Sequence, residues 1–525
     1  MSFALALALS LVPVIPPAAA ARKLQVCTSG FNEPEEIEAF RAHLPPADFD
    51  LVDLSPPPLL QGPDAVAATD RGGGSGAAWL TGRCDGGLHC DVTVISAEFA
   101  GRFFGRSGQS LSLQEMEEAS CQSRCDGFFH APREVFLLAC NTLATKDPDE
   151  RTPPQYLQVL LDHGFDRASA ERMVALRYGP IGPTFRESLR RVFAGVPRVY
   201  GFSSVAPVGA ITGPMLDRYF RSVGDYRRHL DRPEDEHANP ALASAFSGTS
   251  LVETTGLAPT DAAASDRDRI CALYDERRPV ADRLEIVQDL VNRPDMLEFV
   301  PSIQAFVDRH PRERLAGDAQ RIFDRIADNR DARARVRTLV RSLDVSALQL
   351  EVAHFATLVG WVSHDELHAL ALDAARDLLR RPFSSEVVDV ICEIPRHEPI
   401  GQHFKSSDFP PALFWDPEGI RLISCLAPPD PRVTARLAEV LDSPDVGLRL
   451  WAAHALTRRT TVSDEVLLDL AAHLGDPSPD VRQRLEWIFR ARATLSSDVR
   501  DALASANPAF ASELRRSRST SVSSR

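Results

Sequence analysis

A cysteine and a glutamate, each placed just after an apolar run, are the residues of this chain whose types could support chemistry. Cys140 ends the run "EVFLLAC" (134–140), and Glu98 follows the run "DVTVISA" (91–97). Functional groups in open parallel sheets gather just past the carboxyl ends of the strands, so we expect both side chains at one edge. A thiolate is a nucleophile and a carboxylate can accept a proton, which suits nucleophilic catalysis.

The same carboxylate works against the thiol, because a negative charge beside a thiol raises its pKa and disfavours the thiolate. Cys140 therefore has three interpretations: a buried structural thiol that behaves as a small hydrophobe, an active nucleophile, or an inactivated nucleophile. For Glu98 the alternative interpretation is an exposed carboxylate at the end of a strand.

Three histidines near these runs are candidates for a general base. His89 precedes the run that leads to Glu98, and His130 precedes the run that ends at Cys140. At a rise of ~3.3 Å per residue, both should lie a full strand length from the carboxyl edge of the sheet. His163 closes a predicted helix. We expect all three to be loop or helix-end histidines.

Alternating apolar strands and amphipathic helices position these residues within a region from 22 to 228. Strands are predicted at 23–30, 49–55, 91–97, 134–140 and 197–202, and helices lie between them. Capping boxes are predicted at Ser112 with Glu115 and at Thr184 with Glu187. Helices between continuous apolar strands predict a mostly parallel sheet that is covered on both faces.

The stretch "FLLACNTLA" (136–144) resembles the nucleophile strand of the caspase-like cysteine peptidases (clan CD), in particular the CHAT branch, where the strand ends in small-Cys-Asn-Thr. In that family an upstream strand ends in a small residue and a histidine, and a glycine-rich stretch follows, as in "AGRFFGRSG" (100–108) here. The resemblance covers roughly residues 90–205, including "RVYGFSS" (198–204). It implies a caspase-like α/β sandwich over 22–228.

The resemblance also implies roles for single residues. Cys140 would be the nucleophile, and the oxyanion or cleft residues would be Phe99, Gly101 and Asn141. Ser203 and Ser204 would border the substrate pocket. Glu98 occupies the position of the family's histidine, and loss of the base in related triads costs on the order of 10⁴ in rate or more. We therefore expect a degenerate peptidase domain.

The rest of the chain is predicted to be helical. Residues 229–268 are rich in Ala, Ser, Thr and Pro and predict a linker, and 269–510 carries apolar residues at helical spacing. "SPDVGLRLWAAHAL" (443–456) and "SPDVRQRLEWIFRA" (478–491) start 35 residues apart and resemble HEAT-type repeats, which form an α-solenoid. This alignment predicts that Leu441/Leu474 and Val446/Val481 stack in the core and that Trp451 and Trp487 are packing residues. The basic tail 511–525 is predicted to be disordered.

The net charge and the N-terminal residues limit the possible partners and the location of the protein. The net charge of −14 makes a nucleic-acid partner unexpected, and we expect neither a cofactor nor a metal. Residues 1–21 have the layout of a secretory signal peptide, which predicts export to the periplasm or the extracellular space; without that signal the chain would be cytoplasmic. We expect no membrane span elsewhere.

Nine cysteines leave one thiol unpaired if the others form disulfides. Cys84, Cys90, Cys121 and Cys125 lie in loop-like sequence, and disulfides are expected there if the protein is exported. Zinc is the alternative, although the C-x5-C and C-x3-C spacings are not usual for it. The sequence leaves the pairing open.

The function expected from these features is protein binding by a degenerate caspase/CHAT-like domain coupled to a HEAT-repeat interaction arm. The alternative is an active cysteine endopeptidase that uses Cys140 on a protein substrate recruited by the repeats. A third hypothesis is a structural scaffold without peptidase ancestry, which predicts that Glu98 and Cys140 are not neighbours at one edge of the sheet.

Overall fold

The computed structural model describes residues 22–31, 35–55, 77–99, 101–104, 110–147, 151–162, 167–232, 239–343, 346–379, 388, 391–392, 400–459, 462–492 and 494–522. The predicted signal peptide (1–21) and His163 lie outside these residues. The strands are β1 (Leu24–Gly30), β2 (Phe49–Asp53), β3 (Val92–Ser96), β4 (Glu98–Phe99), β5 (Arg102–Phe104), β6 (Ser110–Ser112), β7 (Glu134–Leu138), β8 (Arg198–Phe202) and β9 (Leu251–Thr254).

A six-stranded sheet organises the first half of the chain, with the strand order β2-β1-β3-β7-β8-β9. Every neighbouring pair is parallel except β8 with β9. All residues of β3 and β7 are buried, as their continuous apolar sequences require. The predicted mostly parallel sheet is therefore confirmed.

Helices cover both faces of this sheet. The helices of this part of the chain are α1 (Glu35–His43), α2 (Ala77–Cys84), α3 (Leu113–Ser120), α4 (Asp126–Phe129), α5 (Pro153–Asp162), α6 (Arg167–Tyr178), α7 (Phe185–Val192), α8 (Gly209–Val223), α9 (Tyr226–Leu230), α10 (Pro240–Ala245) and α11 (Ala264–Tyr274). Phe40 of α1 and Phe220 of α8 pack on one face, and Met116 of α3 and Leu189 of α7 pack on the other. Ser112 and Glu115 form the predicted capping box.

The predicted linker contains regular structure, and in this respect the prediction is wrong. Within 229–268, α10 begins after Asn239, whose side chain accepts from the Leu242 N–H, and β9 pairs antiparallel with β8. The sequence "LVET" of β9 is only half-buried at the sheet edge, so it carries little apolar signal. This part of the chain completes the sheet.

The buried carboxylate of Glu134 connects β7, the strand that leads to Cys140, with α9 and β8. Glu134, the first residue of β7, is completely buried. Its Oε1 lies 2.8 Å from His229 Nε2 and 3.2 Å from Arg198 Nε, and its Oε2 accepts from the Tyr226 hydroxyl at 2.6 Å. A buried charge is tolerated when it is paired and hydrogen-bonded in this way.

The second half of the chain is helical. Its helices are α12 (Val280–Asn292), α13 (Val300–Arg309), α14 (Gly317–Ala327), α15 (Arg330–Ser342), α16 (Ser346–Leu358), α17 (His364–Leu378), α18 (Pro417–Leu426), α19 (Pro431–Glu439), α20 (Val446–Thr457), α21 (Asp464–Ala472), α22 (Pro479–Arg490), α23 (Ser497–Ala506) and α24 (Pro508–Val522). Towards the end, alternate helices contact each other: α18 packs on α20 and α20 on α22, while α19 packs on α21 and α21 on α23. None of the helices described here is both long enough and apolar enough to cross a bilayer.

Equivalent contacts in α20 and α22 are 33 residues apart. The guanidinium of Arg449 donates to the carbonyls of Ser443 and Pro444. The guanidinium of Arg482 donates to the carbonyls of Asp476 and Pro477 in the same relation. The predicted alignment of the two S-P-D-V segments, at an offset of 35, therefore does not describe the packing of these helices.

The burial of single residues shows which core assignments from the 35-residue alignment are correct and which are wrong. Leu441, Leu474 and Val481 are buried as predicted, but Val446 is 50% exposed, so its assignment to the core is wrong. Trp451 is partly buried against the core, whereas Trp487 is 50% exposed and is not a packing residue of the core.

The predicted disordered tail is helical as far as Val522. Phe510 and Leu514 are buried, so this helix packs on the core through its apolar residues. The basic, Ser-rich composition concealed these two anchors.

The cysteines form four disulfides, and Cys140 is the one free thiol. The pairs, with Cα–Cα distances of 5.6, 4.9, 5.0 and 5.5 Å, are Cys27–Cys90, Cys84–Cys125, Cys121–Cys271 and Cys392–Cys425. The thiols considered for zinc are all in disulfides.

We predict that Glu134→Ala lowers the free energy of unfolding by about 3–5 kcal/mol, because it leaves the Arg198 and His229 side chains without their buried partner. Guanidinium-induced unfolding, with the disulfides intact and circular dichroism as the signal, measures the change. Glu38→Ala, at an exposed helix position, is the control and should cost less than about 0.5 kcal/mol. Coincident curves for the two variants would contradict the prediction.

Candidate active site

The register of β3 and β7 brings Glu98 and Cys140 to the same edge of the sheet. Ser96 pairs with Leu138, and Glu98 and Cys140 each follow two residues later. The Ala97 N–H donates to the Leu138 carbonyl at 3.4 Å, which extends the pairing towards the edge. The charge of Glu98 acts on the Cys140 thiol. The two residues therefore follow paired strands at the same edge of the sheet.

Burial and charge both favour the neutral thiol of Cys140. Its pKa is raised, first by burial and then by the negative charges of Glu98 and Glu36. The Ala206 N–H donates to Sγ at 3.3 Å and opposes this shift. The Cys140 backbone N–H also lowers the pKa, but burial and the two carboxylate charges outweigh both hydrogen bonds, so the thiolate is scarce at neutral pH.

Glu36 is a second carboxylate whose charge acts on the thiol, and no sequence pattern indicated it. It lies on α1, it is buried, and it accepts a hydrogen bond from the Ser96 hydroxyl at the end of β3. Glu36 is distant from Cys140 in the sequence, so no local pattern connects the two residues.

Asn141 turns the chain immediately after the thiol. Its φ of 59° is the only positive value of a non-glycine residue in the described part of the chain, and asparagine tolerates this conformation. Its side-chain N–H donates to the Tyr156 hydroxyl, and its backbone N–H donates to the Ser204 carbonyl at 2.7 Å. That backbone N–H is therefore not available to an oxyanion in this conformation.

Thr142 and Gly201 fix the distance between this turn and β8. The Thr142 hydroxyl donates to the Ala139 carbonyl at 3.2 Å and accepts from the Phe202 N–H at 3.1 Å. A Cβ on Gly201 would lie 2.5 Å from Thr142 Oγ1, so only glycine allows this approach. Both residues position the thiol, and the sequence analysis did not identify Gly201.

The two serines predicted at the substrate pocket lie beside the thiol turn but are engaged in structural contacts. The Ser203 N–H donates to the Ser250 carbonyl at 2.9 Å, next to β9. Ser204 is buried, and its hydroxyl accepts from Arg151 at 2.9 Å. These contacts join the turn, β8 and the segment before β9.

Of the two residues after Glu98 that were predicted at the oxyanion cleft, Phe99 lies in the core and Gly101 lies in the turn of a hairpin. Phe99 is 1% exposed and its ring lies 4.7 Å from that of Phe103 and 5.1 Å from that of Phe185, so it is a core residue. Gly101 has a φ of 75° in the turn between β4 and β5, and its carbonyl accepts from the Leu113 N–H.

The candidate histidines lie at the amino end of the sheet. His89 Nε2 is 3.7 Å from Asp91, just before β3. His130 lies before β7, where Nε2 is 2.8 Å from the Ser120 carbonyl and Nδ1 is 3.0 Å from the Ala194 carbonyl. Both are a strand length away from Cys140, so neither can act on its thiol.

Comparison of the chain with protein-family models, with curated proteins and with solved structures finds no match. The chemistry must therefore be judged from the geometry. Burial and the charges of two carboxylates raise the pKa of this thiol, although the Ala206 N–H donates to it. A thiol that stays protonated at neutral pH is a poor nucleophile.

We predict that Cys140 reacts slowly with iodoacetamide at pH 7 and that the rate still increases with pH above the pKa of an ordinary thiol, because its raised pKa delays thiolate formation. Glu98→Gln removes a negative charge and lowers the thiol pKa, so the rate at pH 8 should increase several-fold. Mass spectrometry without reductant follows this one thiol.

Glu38→Gln is the matched control, since Glu38 is an exposed glutamate on α1 that does not act on Cys140. Its alkylation profile should coincide with that of the wild type. Fast labelling of the wild type at pH 7, or identical profiles for Glu98→Gln and Glu38→Gln, would contradict the interpretation of the site.

Proposed function

We propose that this chain is an exported protein-binding protein, in which a catalytically inactive caspase-like domain of the CHAT type is joined to a HEAT-like helical array. The observation that carries the proposal is the environment of Cys140. The charge of Glu98 raises the pKa of this thiol, and in the proposed ancestry Glu98 replaces the imidazole of the resembling peptidases.

The chemistry of the edge supports inactivity. A peptidase of this type needs a base that withdraws the thiol proton and N–H donors that hold the oxyanion. Here the charges of Glu98 and Glu36 oppose ionisation, and the Asn141 N–H is already donated to Ser204. Both requirements for catalysis are thus opposed by groups of this chain.

The contacts of the last helices support the HEAT-like array. Alternate helices from α18 to α23 pack on each other in two rows, which is how helix pairs stack in repeat proteins. Arg449 and Arg482 make the same carbonyl contacts in successive units, and Arg449 also forms a buried ion pair with Asp476 at 2.8 Å. Repeats of this kind present an extended surface to a partner.

Four disulfides support export, because disulfides persist in oxidising compartments and are rare in the cytosol. Together with the predicted signal peptide they favour the periplasm or the extracellular space. Cys140 is then the one cysteine that stays out of the disulfide framework.

The second candidate function is an active cysteine endopeptidase. It is favoured by the Ala206 N–H, which donates to Sγ and would stabilise a thiolate. In that function Cys140 would attack the substrate carbonyl, with Glu98 as the proton acceptor. The raised thiol pKa makes this the less favourable alternative.

We predict that Glu98→His accelerates alkylation of Cys140 at pH 6–7 beyond the rate of Glu98→Gln. Both variants remove a negative charge, but only histidine can supply an imidazolium that pairs with the thiolate, as in other activated cysteines. Iodoacetamide labelling followed by mass spectrometry measures both rates, with Cys140→Ala as the blank.

If Glu98→His reacts no faster than Glu98→Gln, position 98 does not correspond to the base of the resembling peptidases, and the proposed ancestry fails. If the wild type releases peptides from fluorescein-labelled casein and Cys140→Ala does not, the chain is a peptidase and the proposal of inactivity is wrong. Equal background release by the two proteins is the expected result.

A further inference from the structure

Five side chains form a row across α18, α20 and α22, which are alternate helices that pack on each other. The Arg421 guanidinium of α18 lies 5.9 Å from the ring centre of Trp451 on α20. Trp451 and His454, one turn apart, have ring centres 5.9 Å apart. Arg484 Nη1 of α22 lies 3.1 Å from His454 Nδ1, and Trp487 follows one turn later. We call these five residues the Trp–Arg row.

The polar atoms of the Trp–Arg row are mainly hydrogen-bond donors. Because a guanidinium can only donate, His454 Nδ1 is the acceptor towards Arg484 and the ring proton is on Nε2. The buried Arg484 Nε has no hydrogen-bond partner among the described residues. The two indole N–H groups are donors as well. A ligand of this row must therefore supply acceptors.

The row also exposes one indole ring to solvent. Trp487 is 50% exposed, although a tryptophan of a stable array would ordinarily be buried against the next helix. Exposed tryptophans with arginines beside them are characteristic of the centres of protein interfaces. Two carboxylates border the row: Glu418 accepts from Arg421 at 3.1 Å, and the charge of Asp480 acts on Arg484.

We propose that the Trp–Arg row binds an extended segment of a partner protein that carries carboxylates and prolines or other compact apolar residues. The proposal rests on the proposed function of the helical array as a partner-binding surface. Carboxylates match the guanidinium and imidazole donors, and apolar residues of the segment pack on the indole rings. Single-stranded nucleic acid also supplies acceptors and flat rings, and its binding is one outcome of the test.

The spacing of the helices determines the spacing of the ligand groups. Packed helices lie about 8–10 Å apart, and an extended chain advances ~3.3 Å per residue. Successive units of the row should therefore contact every third residue of the segment. A peptide of four Pro-Ala-Glu repeats meets both requirements, and the Pro-Ala-Gln and Pro-Ala-Lys peptides are its matched controls.

The test measures binding of these fluorescein-labelled peptides to the full chain by fluorescence anisotropy. We expect the Glu peptide to bind at least about tenfold more tightly than the Gln and Lys peptides, and Trp487→Ala and Arg484→Gln each to weaken it about tenfold. Trp415→Ala is the matched control, because Trp415 is 52% exposed outside the row. It should leave binding unchanged.

Equal binding of the three peptides, or equal effects of Trp487→Ala and Trp415→Ala, would overturn the proposal. Tighter binding of an oligothymidylate that Trp487→Ala abolishes would also overturn it, in favour of nucleic acid. Circular dichroism confirms that the variants are folded. The alkylation of Cys140 is independent of these results, so a failure of the row is distinguishable from a failure of the proposed function.

Discussion

The parallel pairing of β3, β7 and β8 is the constraint on which the candidate site depends. Because these strands run in the same direction and in register, the residues that follow them meet at one edge. A shift of one residue in β7 would turn its side chains to the opposite face. The close approach of Thr142 to Gly201, and the hydrogen bond from Asn141 to Ser204, oppose such a shift. The geometry of the thiol is thus a property of the sheet and does not depend on a flexible loop.

Two opposing influences act on this well-placed thiol, and their balance decides what the edge can do. The Ala206 N–H stabilises a thiolate, as a helix N-terminus or an imidazolium does in reactive cysteines. Burial and two carboxylates favour the thiol, and they prevail. A substitution at Glu98 changes only one of these contributions, because Glu36 and burial remain. The edge therefore preserves the position of a nucleophile while its electrostatics oppose nucleophilic chemistry.

The sequence predicted those features that depend on strong local patterns. Five continuous apolar runs predicted five of the six strands of the main sheet, and the positions of Glu98 and Cys140 after two of them predicted their common edge. The sixth strand, β9, was missed because its edge position demands little apolarity. Val446 and Trp487 were misassigned because the S-P-D-V motif begins three residues before α20 but one residue before α22, so the two motifs are not equivalent in space. Glu36 and Ala206 come from distant parts of the chain, and only the tertiary fold reveals them.

The helical half is held firmly against the α/β half. The Cys121–Cys271 disulfide connects the end of α3 to α11, and the buried Glu117 pairs with Arg191 at 2.9 Å and accepts from Ser302 of α13 at 3.2 Å. Farther along the chain, burial lowers the pKa of Arg421, and the charge of Arg102 on β5 lowers it further, so α18 lies within electrostatic range of the small sheet that begins at Glu98. The Trp–Arg row starts at that same arginine. A partner segment bound along the row would therefore extend from a fixed point beside the small sheet, and its orientation relative to the thiol edge would be set by the fold.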